Sequence, residues 1–183
     1  MARPLSDVLP RWLLTTIVAL RTSKQFEWYS SDCEKYMLKG ISPLLGPDLL
    51  ATLCRMGHGD ELVLADAHFP GESTGPPVLR LDGVGVPPLL GAILPLFEID
   101  NFVDDAVVMM QVVEGDTADP TVGSDYRDLL DRYVAKPPEI QFLDRFAFYE
   151  RARQAFTVVM TGDVRKYANL ILKKGVTPPS TTG

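Results

Sequence analysis

Cysteine, histidine and basic charge are all scarce in this chain. Its 183 residues include two cysteines and two histidines. Cys33 and Cys54 cannot build a disulfide framework, and they form no C-x-x-C pair of the kind that opens a zinc site. Two reduced thiols suit a reducing compartment, so a cytoplasmic location is expected. Eighteen Lys and Arg stand against twenty-four Asp and Glu, for a net charge of −6. Basic residues adjoin only at Arg165-Lys166 and Lys173-Lys174, so no concentrated patch exists for nucleic acid or an anionic membrane surface. Long apolar runs are missing too. The longest early one, Trp12 to Leu20, contains two threonines and is too short to span a bilayer. Asp7 dilutes the charge ahead of it and no clean small-x-small site follows, which argues against a secretion signal. No Gly-Lys-Ser/Thr occurs, and Gly83-Val84-Gly85-Val86-Pro87-Pro88 has proline where a dinucleotide fingerprint needs its third glycine. A nucleotide cofactor is therefore not expected.

What is present is enough apolar material for a core: 46% hydrophobic residues against 23% charged. The first 36 residues carry a net +1 and the other 147 a net −7, and Met37-Leu38-Lys39 reads like a fresh start. Residues 1–36 are read as an N-terminal extension, 37–178 as the folded body and 179–183 as a polar tail. Within the body, Pro47 opens a helix whose Leu49, Leu50, Leu53 and Met56 recur at helical spacing before Gly57. Leu62 to Ala65 and Val78 to Leu81 are short apolar runs consistent with buried strands. Pro87-Pro88 opens a second helix through Leu96, Val107 to Val113 is strand-like, and Tyr126 to Ala135 is helical. Asp144 is placed to cap a helix running to Ala155, and Phe156–Met160 and Leu170–Leu172 close the body as strands. Strands interleaved with helices predict a single α/β layered domain, helices packed on a mixed β-sheet.

Four features suggest chemistry. His58 lies between Gly57 and Gly59, with little local cover, so its ring is expected to be presented. Asp66 follows an apolar strand, at the carboxyl end where open α/β sheets place ligands. Arg145 and Tyr149 are four apart on a predicted helix and project from one face, while Phe148, Ala152 and Ala155 make a neighbouring core stripe. Tyr167 and Asn169, two apart in an extended segment, point the same way. Cys54, His58, Asp66 and His68 match no metal-ligand spacing, so no metal is expected. Asp, Arg, Tyr and Asn with a presented His are a set suited to reading the hydroxyls of a sugar. Spacing alone fits solvated surface residues equally well.

From Met37 to Pro178 the chain also resembles the fucose mutarotase and ribose pyranase family. The resemblance is carried by Met37-Leu38-Lys39-Gly40-Ile41-Ser42-Pro43-Leu44-Leu45, Met56-Gly57-His58-Gly59-Asp60-Glu61 and Leu64-Ala65-Asp66-Ala67-His68-Phe69-Pro70. It continues through Pro95–Asp100, Val113-Glu114-Gly115-Asp116, Arg145–Ala152 and Leu170–Pro178. It implies a ribose pyranase-like fold and interconversion of the α and β anomers of free L-fucose by ring opening, with no cofactor. It also implies homo-oligomeric rings with sites at subunit contacts. By position, His58 matches the catalytic proton donor and Asp66 a sugar-binding aspartate. Asp100, Tyr149 and Arg145 match further site positions, and Tyr167-Ala168-Asn169 the late sugar-binding segment. Arg145 favours the fucose branch; Ala168, where the fucose branch mostly carries glycine, leans toward the ribose branch. The alternatives are a pyranose–furanose isomerase acting on D-ribose and a ring that binds sugar without catalysis. The resemblance leaves open whether His68 touches substrate.

Overall fold

The computed structural model describes residues 38–178. The extension 1–36, with its Trp12–Leu20 run and Cys33, and the tail 179–183 lie outside the described residues. Residues 38–41 form a turn of their own, Ile41 N–H donating to Leu38 O over 3.2 Å.

From residue 42 onward the elements alternate. Helix α1 spans Pro47–Arg55, with proline in its first turn, where no N–H is needed. Strand β1 (Glu61–Ala65) follows, then a single turn α2 (Gly71–Thr74) and β2 (Val78–Leu81). Helix α3 (Val86–Ile93) runs into a 3-10 turn, and β3 is Val107–Met110. Helix α4 (Thr121–Tyr133), β4 (Gln141–Leu143) and α5 (Arg145–Ala152) lead to β5 (Thr157–Thr161) and β6 (Leu170–Lys173).

The strands form one six-stranded sheet in the order β2-β5-β1-β6-β3-β4. β1 is parallel to β5, β5 to β2, and β3 to β4, while β6 is antiparallel to both β1 and β3. Five strands therefore point one way and β6 alone is reversed, in mid-sheet. One row of side chains crosses four strands through Val158, Val63, Ile171 and Val108. It packs with Phe69, Phe148 and Ala152 in a core on one face. On the other face Leu64 lies in register with Val159 and Leu170, and α3 packs on β1 and on α4. With both faces covered, β1 is buried along Leu62–Ala65 and reads as an unbroken apolar run rather than an alternating one.

Where the structure differs from expectation, the differences are local. β2 is an edge strand, half-exposed rather than buried. β3 ends at Met110; Val112 and Val113 are exposed and belong to the following loop. α4 starts at Thr121, five residues early, with the Asp119 carboxylate accepting from Thr121 N–H and its hydroxyl. α5 stops at Ala152, though Ala155 still joins the core. β4 and α2 were not anticipated: at three and four residues they carry too little periodicity to read.

A half-buried ion cluster ties α5 to the amino end of β1. Arg151 donates to both Glu61 oxygens and, through Nη1, to Asp105 at 2.8 Å; Lys173 reaches Glu61 at 3.3 Å. Among the described residues no helix is long and apolar enough to cross a membrane. Cys54 is an exposed free thiol.

Candidate active site

The carboxyl ends of β1, β3 and β4 open on a pocket of about 320 Å³, and the reversed β6 delivers the segment before its first residue to the same edge. Asp66, the residue after β1, is buried. Its backbone N–H donates to Asn169 Oδ1 and its carboxylate accepts from Asn169 Nδ2, both at 2.9 Å. The other carboxylate oxygen accepts from His68 N–H at 2.9 Å. Burial pushes the Asp66 carboxyl above the ordinary aspartate range, and the His68 and Asn169 hydrogen bonds oppose that rise.

Arg145 and Tyr149 both line the pocket, as the helical spacing predicts. They are placed by the start of α5, where Asp144 accepts from Phe146 N–H and Ala147 N–H at 2.9 and 3.1 Å. Tyr149 meets Phe69 edge-on, ring centroids 5.5 Å apart, and Phe69 meets Phe148 in the core in the same manner. Phe69 and Met110 form the apolar part of the lining.

Tyr167 and Asn169 also face the pocket, but not because the segment is extended. Arg165–Ala168 is a tight turn, Ala168 N–H donating to Arg165 O, and Tyr167 has φ 63°. A left-handed backbone at a bulky residue costs about 1–3 kcal/mol. Asp163 secures the start of the turn, accepting from Arg165 N–H, Nε and Nη2 and from Val86 N–H. Ala168 does not line the pocket. It is fully buried, its carbonyl accepting from the Tyr126 hydroxyl at 3.0 Å.

His68, Asp116 and Lys166 line the pocket without having been assigned a place there. His68 Nε2 lies 3.3 Å from Val164 O. Met110, also in the lining, ends β3, so the edge rule that flagged Asp66 applies to it as well. For Asp116 and Lys166 the local sequence shows only a loop acid and a basic pair.

His58 and Asp100 sit elsewhere. The Gly57–Asp60 turn precedes β1, with Gly59 at φ 86°, Gly57 N–H on Asp60 Oδ2 at 2.7 Å and Gly59 N–H on Lys174 O at 2.8 Å. His58 is 50% exposed, as its glycine frame predicts, and its Nε2 lies 3.2 Å from Oδ2 of Asp100, which is 3% exposed. The other Asp100 oxygen accepts from Phe102 N–H, and the Phe102 ring stands edge-on to the imidazole at 6.1 Å. Gly175 permits this loop to close: a Cβ there would come within 2.7 Å of Ile99 O. The pair belongs to the amino end of β1, and the strand's five residues rise about 17 Å to Asp66. One copy of the chain thus holds the His58–Asp100 pair and the pocket at opposite ends of its sheet. His58 is thereby separated from Asp66 and His68, which line the pocket.

Residues 39–177 match the RbsD / FucU transport protein family. The fucose mutarotase of Streptococcus pneumoniae, solved in complex with L-fucose, is 45% identical, with TM-score 0.73 over 77% of this chain and 100% of that one. FucU from Bifidobacterium longum is 44% identical, with TM-score 0.74 over 76% of this chain and 100% of that one. Bacillus subtilis RbsD, complexed with D-ribose, shares the fold at 23% identity, with TM-score 0.60 over 78% of this chain and 100% of that one.

Proposed function

Because the chain belongs to the RbsD / FucU transport protein family, we propose that it is an L-fucose mutarotase, an isomerase that interconverts the α and β anomers of the free sugar. The observation that carries this reading is the Asp66–Asn169 pair facing Arg145 and Tyr149 across one pocket, in a chain 45% identical to a mutarotase solved with L-fucose. Anomer exchange needs a proton removed from the anomeric hydroxyl and one delivered to the ring oxygen. The aldehyde then rotates and the ring recloses. Imidazole, with an unperturbed pKa near ~6.5, moves protons in either direction at neutral pH, and placed acid–base catalysis contributes about 10²–10⁴-fold. Asp66 and Asn169 bind sugar hydroxyls with a carboxylate and an amide already fixed by each other, so little ordering is left for the ligand. Arg145 and Tyr149 add donors, and Tyr167, whose hydroxyl is given to Asp116, adds a flat ring. The Phe69 and Met110 wall suits the methyl carbon of a 6-deoxy sugar.

His58 is the proton carrier and Asp100 its anchor, holding Nε2 while Nδ1 stays free for the sugar. Since they lie at the far end of the sheet, the pocket of one copy takes its histidine from the next. Exposed apolar groups at both ends support such head-to-tail assembly: Phe102, 76% exposed, beside His58, and Phe146 and Val164 beside the pocket. A contact that joins unlike faces closes into a ring or runs into a filament, and the family resemblance favours the ring. Cys54, a free thiol, suits the reducing cytoplasm as the place of action. Ala168 is buried and outside the pocket lining, so the lean toward ribose that it suggests gains no support from the pocket.

Saturation-transfer NMR on the anomeric protons of L-fucose tests the proposal. Faster α–β exchange at catalytic protein concentration supports it, with D-ribose as the control. Exchange of ribose alone, or sugar binding without exchange, overturns it.

A further inference from the structure

Asp116 stands on the loop after β3, and both of its oxygens are occupied from a loop fifty residues away. Oδ1 accepts from Lys166 Nζ at 2.8 Å and Oδ2 from the Tyr167 hydroxyl at 2.7 Å. Thr117 N–H donates to Oδ1 at 2.8 Å. The carboxylate is therefore fixed by its own loop before it meets its partners. Those partners are the two central residues of the Arg165–Ala168 turn, the second of which is the left-handed Tyr167. A glycine would take that backbone freely; a tyrosine keeps it only if something holds the side chain. The residue after Ala168 is Asn169, whose amide is locked to Asp66.

We infer that Asp116 is a positioning residue of the sugar pocket: it grips the Tyr167 hydroxyl and so holds the left-handed turn that sets Tyr167 and Asn169 against Asp66. The inference deepens the sugar-binding reading and takes its ligand from it. Asp116 acts through Tyr167. Lys166 is a minor arm, since an ion pair this open to solvent contributes little.

The test is a cycle of Asp116→Ala, Tyr167→Phe and the double variant on the assembled protein. Titration with L-fucose should show affinity down about three- to tenfold in each of the first two, the range for the net loss of one ordinary hydrogen bond. The double variant should lie within about twofold of the singles, because both remove the same contact. KM should rise while kcat for anomer exchange moves less. A second readout needs no sugar. The ultraviolet titration of the Tyr167 phenol, taken as the difference between the parent and Tyr167→Phe, should shift to lower pH when Asp116 is replaced. Additive losses in the cycle, or an unmoved phenol titration, overturn the inference. If the parent protein leaves L-fucose exchange unchanged, the mutarotase reading falls, and the phenol titration still decides the grip by itself.

Discussion

At the scale of single residues, the proposed chemistry rests on one mobile proton and one buried carboxyl. His58→Ala removes the proposed proton carrier from an exposed turn that its flanking backbone hydrogen bonds maintain. Anomer exchange should drop by about 10²–10⁴-fold, with the size of the assembled protein unchanged by gel filtration. Unchanged exchange by saturation transfer would sink the assignment. Asp66 supplies a pH signature. Its carboxyl is raised by burial, so it takes up a proton at higher pH than an ordinary aspartate with a value of 3.8. The folded state then holds that proton more tightly than the unfolded chain. Asp66 accordingly opposes folding as pH rises from the unfolded value through the folded one. Sugar binding has the opposite dependence: L-fucose affinity should fall on acidification once Asp66 protonates, beginning above pH 3.8. The dissociation constant measured from pH 7 downward checks this; an affinity flat to pH 4 is the contrary result. Asp116 does not compete for this limb, since Lys166 and Tyr167 hold its carboxyl down at about 2.

Among the elements, α5 links structure to function most directly. Its first turn carries Arg145, its second Tyr149, and its end reaches the Glu61–Asp105 cluster through Arg151. The cap at Asp144 satisfies two N–H groups that the helix cannot satisfy internally. Asp144→Ala should cost about 1 kcal/mol, seen as a lower melting temperature, and should raise KM for fucose because Arg145 stands on the turn that frays. A melting temperature and KM both unchanged would show that the sheet alone holds α5. This cap was legible in the sequence, as were the prolines opening α1 and α3, the β1 and β5 strands and the core stripe of Phe148 and Ala152. The turn at Arg165–Ala168 was not, because its left-handed residue is a tyrosine rather than the glycine that announces such turns.

Over the whole molecule, the separation of His58 and Asp100 from the pocket makes assembly part of the proposed chemistry. A head-to-tail arrangement has a direct consequence. His58→Ala and Asp66→Ala, each inactive alone, should regain activity when co-assembled, because some interfaces then join an intact pocket to an intact histidine. With equal mixing, roughly a quarter of the sites are restored, as expected for a heterologous contact. Exchange rates of the mixed assembly against each variant alone measure it. No recovery would mean that both halves serve the same copy.

The sequence settled what local physics settles. Helical spacing, capping and buried apolar runs marked most elements, and the carboxyl-end rule and the glycine frame found Asp66 and His58. It left open which of these residues meet, because that depends on strand order and direction. Asp66 and Asn169 are 103 residues apart and touch because β6 is reversed beside β1. Tyr167 finds Asp116 because β6 also pairs with β3, whose loop carries that aspartate. His58 and Asp100 pair with each other and stand a strand's length from the pocket for the same reason: β1 runs from one to the other. Contacts between distant segments are fixed by the sheet as a whole, and no window of sequence contains it.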